Sequence, residues 1–200
     1  MKQYITDNIA QHIDTISEIA ETPEIIGAIQ AAAKLIIASL HGGGKIMLAG
    51  NGGSAADAQH IAAEFINRFN MRREALPAIA LTTDTSVLTS IANDRVFDKI
   101  FSRQIEALGT PADTFIAFTT SGNSVNIIEA LAECRRRGIT TIALAGAKCL
   151  NVAQYCDAII PVPSYKTPRI QEAHIMISHI LCGIIERELC TEQPEPQIVI

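Results

Sequence analysis

Apolar residues recur through the first twenty positions at Ile5, Ile9, Ile13, Ile16 and Ile19. That helical period predicts a helix from Lys2 to about Ala20. Thr22-Pro23 follows as an N-cap and first-turn proline, so a second helix is expected to about Leu40, ended by Gly42-Gly43-Gly44. The pattern then changes. Short apolar runs at Ile46–Ala49, Ala78–Leu81, Thr114–Phe118, Ile139–Leu144 and Asp157–Val162 read as buried strands. Helical stretches fall between them: one opened by Ser54, then Thr85–Asn93 and Phe97–Leu108, with Asn93-Asp94 at the break. A further helix, Val125–Arg137, is capped by Ser124 and stopped by Gly138, and the last runs over Thr167–Leu189.

Strands alternating with helices imply parallel pairing through right-handed crossovers, hence a doubly wound α/β domain with a five-stranded parallel sheet. The first two helices are extra to that repeating unit. Their apolar faces serve subunit association or cover the sheet. One domain is expected over 1–190, with 191–200 as a flexible tail. Ligands of such sheets bind beyond the carboxyl ends of the strands, where the strand order reverses.

Composition narrows the classes. Of 200 residues, 48% are hydrophobic and 18% charged, which argues for a compact chain against a disordered one. A net charge of −5 gives no drive toward nucleic acid or an anionic membrane. Tryptophan is absent, so no platform for stacking bases is visible. A phosphorylated ligand must therefore be held by local backbone donors and hydroxyls. The N-terminus lacks the plan of a signal peptide, and no apolar run approaches a membrane span. Five cysteines without a Cys-x-x-Cys pair read as reduced thiols, and the expected location is the cytoplasm.

Chemistry concentrates in three stretches. Gly50-Asn-Gly-Gly-Ser54 links a strand to a helix N-terminus, where converging N–H groups favour an anion. The same helix carries His60 and Glu64, and four residues advance about 400°, so both share one face. Thr119-Thr-Ser-Gly-Asn-Ser124 offers hydroxyls and an amide before a second helix, as a phosphate monoester requires. In the last helix Gln171, Glu172, His174 and His179 are all candidates, and spacing does not choose among them. His174 and His179 diverge by roughly 140°, Gln171 and His179 by roughly 80°, while Glu172 and His179 share a face. No Walker motif and no Gly-x-Gly-x-x-Gly follows the first strand, which disfavours nucleotide hydrolysis and dinucleotide binding.

Gly50–Ser54, His60-x-x-x-Glu64, Asn93-Asp94, Thr119–Ser124 and Arg169-Ile-Gln-Glu-x-His174 together resemble the bacterial phosphoheptose isomerases. These are sedoheptulose 7-phosphate isomerases of the sugar isomerase (SIS) domain superfamily. The resemblance covers nearly the whole chain. It implies a flavodoxin-like SIS domain, a homotetramer whose N-terminal helices help form its core, and one zinc ion per subunit held by His60, Glu64, Gln171 and His179. It places phosphate on Thr119, Thr120, Ser121 and Ser124. The sugar falls to Asn51, Gly52, Gly53, Asn93, Asp94 and Gln171, with Ser54 and Glu64 beside it. The activity implied is conversion of sedoheptulose 7-phosphate to D-glycero-D-manno-heptose 7-phosphate, which opens ADP-heptose and lipopolysaccharide core biosynthesis.

An aldose–ketose interconversion passes through an enediol. Glu64 is the expected carrier of the carbon proton and His179 the complementary acid/base. Two departures from the family pattern stand out: Pro168 before Arg169, and Ala145-Gly-Ala-Lys-Cys-Leu150, which lacks the usual extra glycines. A rival resemblance also exists. Ile66-Asn-Arg-Phe69 and Ile91-Ala-Asn-Asp-Arg95 resemble non-enzymatic tetramers of this fold that bind the bacterial replication initiator. Those proteins tend to lose the metal and phosphate residues, which are intact here.

Overall fold

In the computed structural model, residues 1–193 are described. Helix α1 (Lys2–Glu21) and helix α2 (Pro23–His41) lead into strand β1 (Ile46–Gly50) and helix α3 (Gly53–Ile66). Strand β2 (Ala78–Ala80), helix α4 (Thr85–Asp94), a 3-10 turn (Phe97–Lys99) and helix α5 (Ser102–Leu108) follow. The second half comprises β3 (Thr114–Thr119), α6 (Val125–Arg137), β4 (Thr140–Ala145), α7 (Leu150–Ala153), β5 (Ala158–Pro161) and α8 (Thr167–Leu189).

All four strand pairings are parallel, in the order β2-β1-β3-β4-β5. This is the flavodoxin-like order, and its reversal point lies between β1 and β3. The turns after those two strands are the two hydroxyl- and glycine-rich loops.

Alternation along each strand divides the core. Ile46, Leu48, Ile116, Phe118, Ile142 and Leu144 face a layer built by α1, α2, α3 and α8. Met47, Ala49, Phe115, Ala117, Ala143 and Ala145 face the other way, toward residues of α5 and α6 such as Ile105, Ile127 and Leu131. Neighbouring side chains on a strand point to opposite faces, so a sheet covered on both sides needs such continuous apolar strands.

The two N-terminal helices differ in burial, and covering the sheet falls to α2. Helix α2 packs on α8 and β5 through Ile25, Ile29, Ala32, Ala33 and Ile36. Helix α1 buries Ile19 but leaves Ile5, Ile9 and Ile13 exposed along one side. One sequence expectation needs correction here: α2 is long and apolar enough to cross a membrane by length and composition. The interruption by Glu24 and Lys34 hides this in a reading for unbroken apolar runs.

Three local readings also differ. Phe97–Leu108 is not one helix, because Ile100 and Phe101 turn into the core between the 3-10 turn and α5. The four-residue α7 is too short to leave a periodic signature. Ser124 occupies the N-cap position of α6, yet its side chain makes no cap hydrogen bond. Of the foreseen tail at 191–200, residues 194–200 lie outside the described residues.

Candidate active site

The first turn is shaped by two glycines. Gly52 precedes α3 at φ 58°, a backbone region that L side chains rarely adopt. At Gly53 an added Cβ would stand 2.6 Å from Gln171 Nε2, so the absence of a side chain lets Gln171 of α8 lie directly against the turn. Asn51 and Asn126 exchange two amide hydrogen bonds, 2.9 and 2.8 Å, which tie the turn after β1 to the start of α6 across the reversal point. Ser54 is buried.

The second loop curls on its own hydroxyls. The Gly122 N–H donates to Thr119 Oγ1 at 3.2 Å and the Asn123 N–H to Ser121 Oγ at 3.2 Å. Thr119 is buried and Ser121 exposed. Thr120, Ser121 and Asn123 line a hollow of about 270 Å³ with Lys148, Ser164, Tyr165, Thr167 and Ile170. Lys148 places its ammonium 5.8 Å from the Tyr165 ring. Sequence reasoning noted the Lys148 segment only as a departure. The residue brings a cation to a loop whose other donors are neutral.

Further along α3, His60 and Glu64 meet His179 of α8. His60 Nε2 lies 3.0 Å from His179 Nε2 and 3.6 Å from Glu64 Oε1. One donor atom from each of the three residues lies within 4.8 Å of the others. Two imidazoles and a carboxylate are a common donor set for zinc, and tetrahedral bonds near 2.0–2.1 Å set donor atoms about 3.3 Å apart. The three residues therefore fit a metal ion. His179 is also braced by the Phe69 ring, whose centroid is 5.3 Å away with planes at 17°.

Asp57, three residues before His60 on the same helix, was missed. Its Oδ2 is buried without a hydrogen-bond partner. Burial pushes the carboxyl up to about 6, and the nearby His60 partly opposes this. The i, i+3 spacing to His60 was the signal available in the sequence.

The remaining candidates separate by helix face and by level along the axis. Glu172 shares the His179 face but lies about 10 Å earlier along α8, where it bonds to His12 of α1 at 2.7 Å and to Arg169. His174 is wholly buried beneath the sheet, its ring 6.1 Å from that of Phe118. Neither of its ring nitrogens has a hydrogen-bond partner, and burial pulls its pKa down to about 4 against a small opposing effect of the Ala145 backbone. Asn93 and Asp94 stand exposed at the end of α4 and bond to each other at 2.8 Å. Among the described residues, no hydrogen bond ties either to the two loops.

The chain is a doubly wound α/β domain with a hydroxyl-rich loop at its reversal point and a His–Glu–His cluster between α3 and α8. Residues 8–146 match the SIS domain. The chain is 49% identical over 189 residues to the phosphoheptose isomerase of Sulfurimonas denitrificans, spanning 94% of this chain and 97% of that one. It is 45% identical over 190 residues to that of Burkholderia pseudomallei, spanning 95% and 96%. The solved phosphoheptose isomerase of Neisseria gonorrhoeae superposes with a TM-score of 0.87 at 40% identity, covering 93% of this chain and 98% of that one. That of Francisella tularensis superposes with a TM-score of 0.88 at 37% identity, covering 92% and 97%. The chain belongs to the SIS domain family and, within it, to the phosphoheptose isomerases.

Proposed function

We propose that this protein interconverts sedoheptulose 7-phosphate and D-glycero-D-manno-heptose 7-phosphate through an enediol. The observation that carries the reading is the convergence of His60, Glu64 and His179 in a chain whose near full-length relatives are phosphoheptose isomerases. Phosphate sits on the Thr119–Ser121 hydroxyls and Ser124, helped by the helix dipole of α6. The free Ser124 hydroxyl supports this, since it is not engaged in capping. Asn51, Gly52, Gly53, Asn93, Asp94 and Gln171 hold the sugar, with buried Ser54 shaping the turn. From Ile170, beside the phosphate hollow, α8 rises about 13 Å to His179 at roughly 1.5 Å per residue. That span suits a sugar with several carbons between phosphate and carbonyl.

His60, Glu64, Gln171 and His179 hold one zinc ion per subunit. When bound, zinc polarises the substrate's carbonyl and hydroxyl oxygens and offsets the negative charge of the enediolate. Glu64 takes the proton from one carbon and returns it to its neighbour, using the oxygen not engaged toward His60. His179 moves protons at the substrate oxygens. The two loops fix the phosphate end so that the reacting carbons meet Glu64 in one orientation.

The subunits assemble as a homotetramer in the cytoplasm. The exposed stripe Ile5, Ile9 and Ile13 supports burial of α1 between copies. The enzyme supplies the first intermediate of heptose synthesis for lipopolysaccharide core. The comparisons do not favour the initiator-binding reading.

The test is turnover of sedoheptulose 7-phosphate by purified protein, after chelation and after zinc is restored, with the aldose followed by NMR. Zinc-dependent conversion is expected. A folded tetramer inert in both states would overturn the proposal in favour of a binding protein.

A further inference from the structure

Beneath the His60–Glu64–His179 cluster lies a buried ion pair that the proposed chemistry does not use. Arg73 Nε donates to Glu186 Oε1 at 2.9 Å, and both side chains are only 1% exposed. Glu186 also accepts from the backbone N–H groups of Phe69, Asn70 and Met71 at 2.7, 2.8 and 3.1 Å. Burial alone would push its carboxyl up. These donors outweigh burial and keep the group below its ordinary value, so it stays ionised.

Arg73 turns its other nitrogens onto the end of α3. Nη2 donates to the Glu64 carbonyl and Nη1 to the Phe65 carbonyl, each at 2.8 Å. Carbonyls in the last turn of a helix have no partner within it, and an arginine can supply one. Glu64 is thus held at a helix end that would otherwise fray.

Glu186 governs the other side of the cluster. It stands seven residues after His179 on α8, about two turns along the same face. By gripping three consecutive N–H groups, it lays the loop after α3 along that face and brings the Phe69 ring against the His179 imidazole. Buried ion pairs are often replaceable by apolar groups at no loss of stability. A geometric purpose accounts for this one better than an energetic one.

We propose that the Arg73–Glu186 pair is a positioning device for the metal cluster, seating Phe69 against His179 and fixing the last turn of α3 at Glu64. Ligand and catalytic groups are aimed before substrate or metal arrives. The inference rests on the proposed roles of His60, Glu64 and His179.

The experiment compares wild-type protein with Phe69→Leu and Arg73→Lys. Phe69→Leu keeps the ion pair and removes only the ring. Arg73→Lys keeps the charge beside Glu186 but loses the planar fork that spans the helix-end carbonyls. Three quantities are measured: the His179 ring-proton shift by NMR in metal-free protein, zinc affinity by chelator competition, and kcat with KM. Both variants are expected to lose the ring-current shift at His179 and to bind zinc about 10–100-fold more weakly. The loss of turnover should fall on kcat, with KM within about twofold, whereas a loop that merely pins the fold would leave zinc affinity unmoved in both variants and the His179 shift unmoved in Arg73→Lys. Wild-type zinc affinity and kcat in folded Phe69→Leu would overturn the proposal, and that variant decides alone if Arg73→Lys does not fold. Wild-type protein that binds no zinc and converts no sugar would overturn the functional reading instead, before any variant is compared.

Discussion

His60 Nε2 and His179 Nε2 lie 3.0 Å apart although 119 residues separate them in the chain. At that distance one imidazole must donate and the other accept, so the pair shares a single proton between the two nitrogens. A metal ion bound there would take the place of that proton, since both nitrogens would then have to present lone pairs. The close approach is made by α3 and α8, which pack together through the apolar core and not through the histidines.

In the proposed mechanism Glu64 is the group on which the carbon chemistry depends. Glu64→Gln keeps the shape but removes the base, and should lower kcat by about 10²–10⁴-fold with the thermal transition unchanged. Steady-state kinetics beside a melting curve checks this. An active Gln variant would reassign the proton transfer.

Gly53→Ala tests how closely Gln171 must approach the first turn. The added methyl would meet only the end of the Gln171 side chain, 2.6 Å from Nε2 and 2.9 Å from Oε1. The fold should survive while the amide is pushed aside, with activity or zinc affinity falling about 10–100-fold. Retained activity and affinity would show that Gln171 does not need its present position.

At Ser124 the roles of cap and ligand come apart. Removing a working N-cap costs about 1 kcal/mol, but this hydroxyl makes no cap bond. Ser124→Ala should therefore leave stability within about 0.5 kcal/mol and raise KM about tenfold, the worth of one hydrogen bond to a charged group. A clear fall in melting temperature with unchanged KM would contradict both halves.

His174 should make the protein acid-sensitive. Its pKa drops from 6.5 unfolded to about 4 folded because burial disfavours the charged ring. Between those values the unfolded chain holds a proton that the folded one refuses, so stability rises with pH across the window and is lost on acidification. The loss approaches about 3 kcal/mol once pH falls below 4, and His174→Leu should remove it. Urea unfolding of both proteins at pH 7.5, 6 and 5 gives the comparison. Parallel curves would refute the assignment.

Much of the fold was legible because strand and helix follow from apolar spacing. Thr167–Leu189 was bounded correctly at both ends, with Pro168 fitting the first turn. The misreading at Phe97–Leu108 has a plain cause: Ile100 and Phe101 continue a helical apolar pattern while serving the core from a break. In the candidate site, His60 and Glu64 announced themselves by a four-residue spacing on one helix. The choice within α8 did not, since it depends on which element packs against α8 at each face and each level along its axis. Glu172 meets α1, His174 the sheet and His179 α3, and no spacing within α8 carries that information.

Helix α8 acts as a ruler for the whole site. From Gln171 to Glu186 it sets, on one unbroken rod, the group against the first turn, the cluster histidine and the carboxylate that grips the loop after α3. Inserting or deleting one residue anywhere in that interval would rotate everything beyond it by about 100° and shift it by about 1.5 Å. Descendants of this chain are therefore free to exchange residues of α8 other than those three groups, but not to change the length between them.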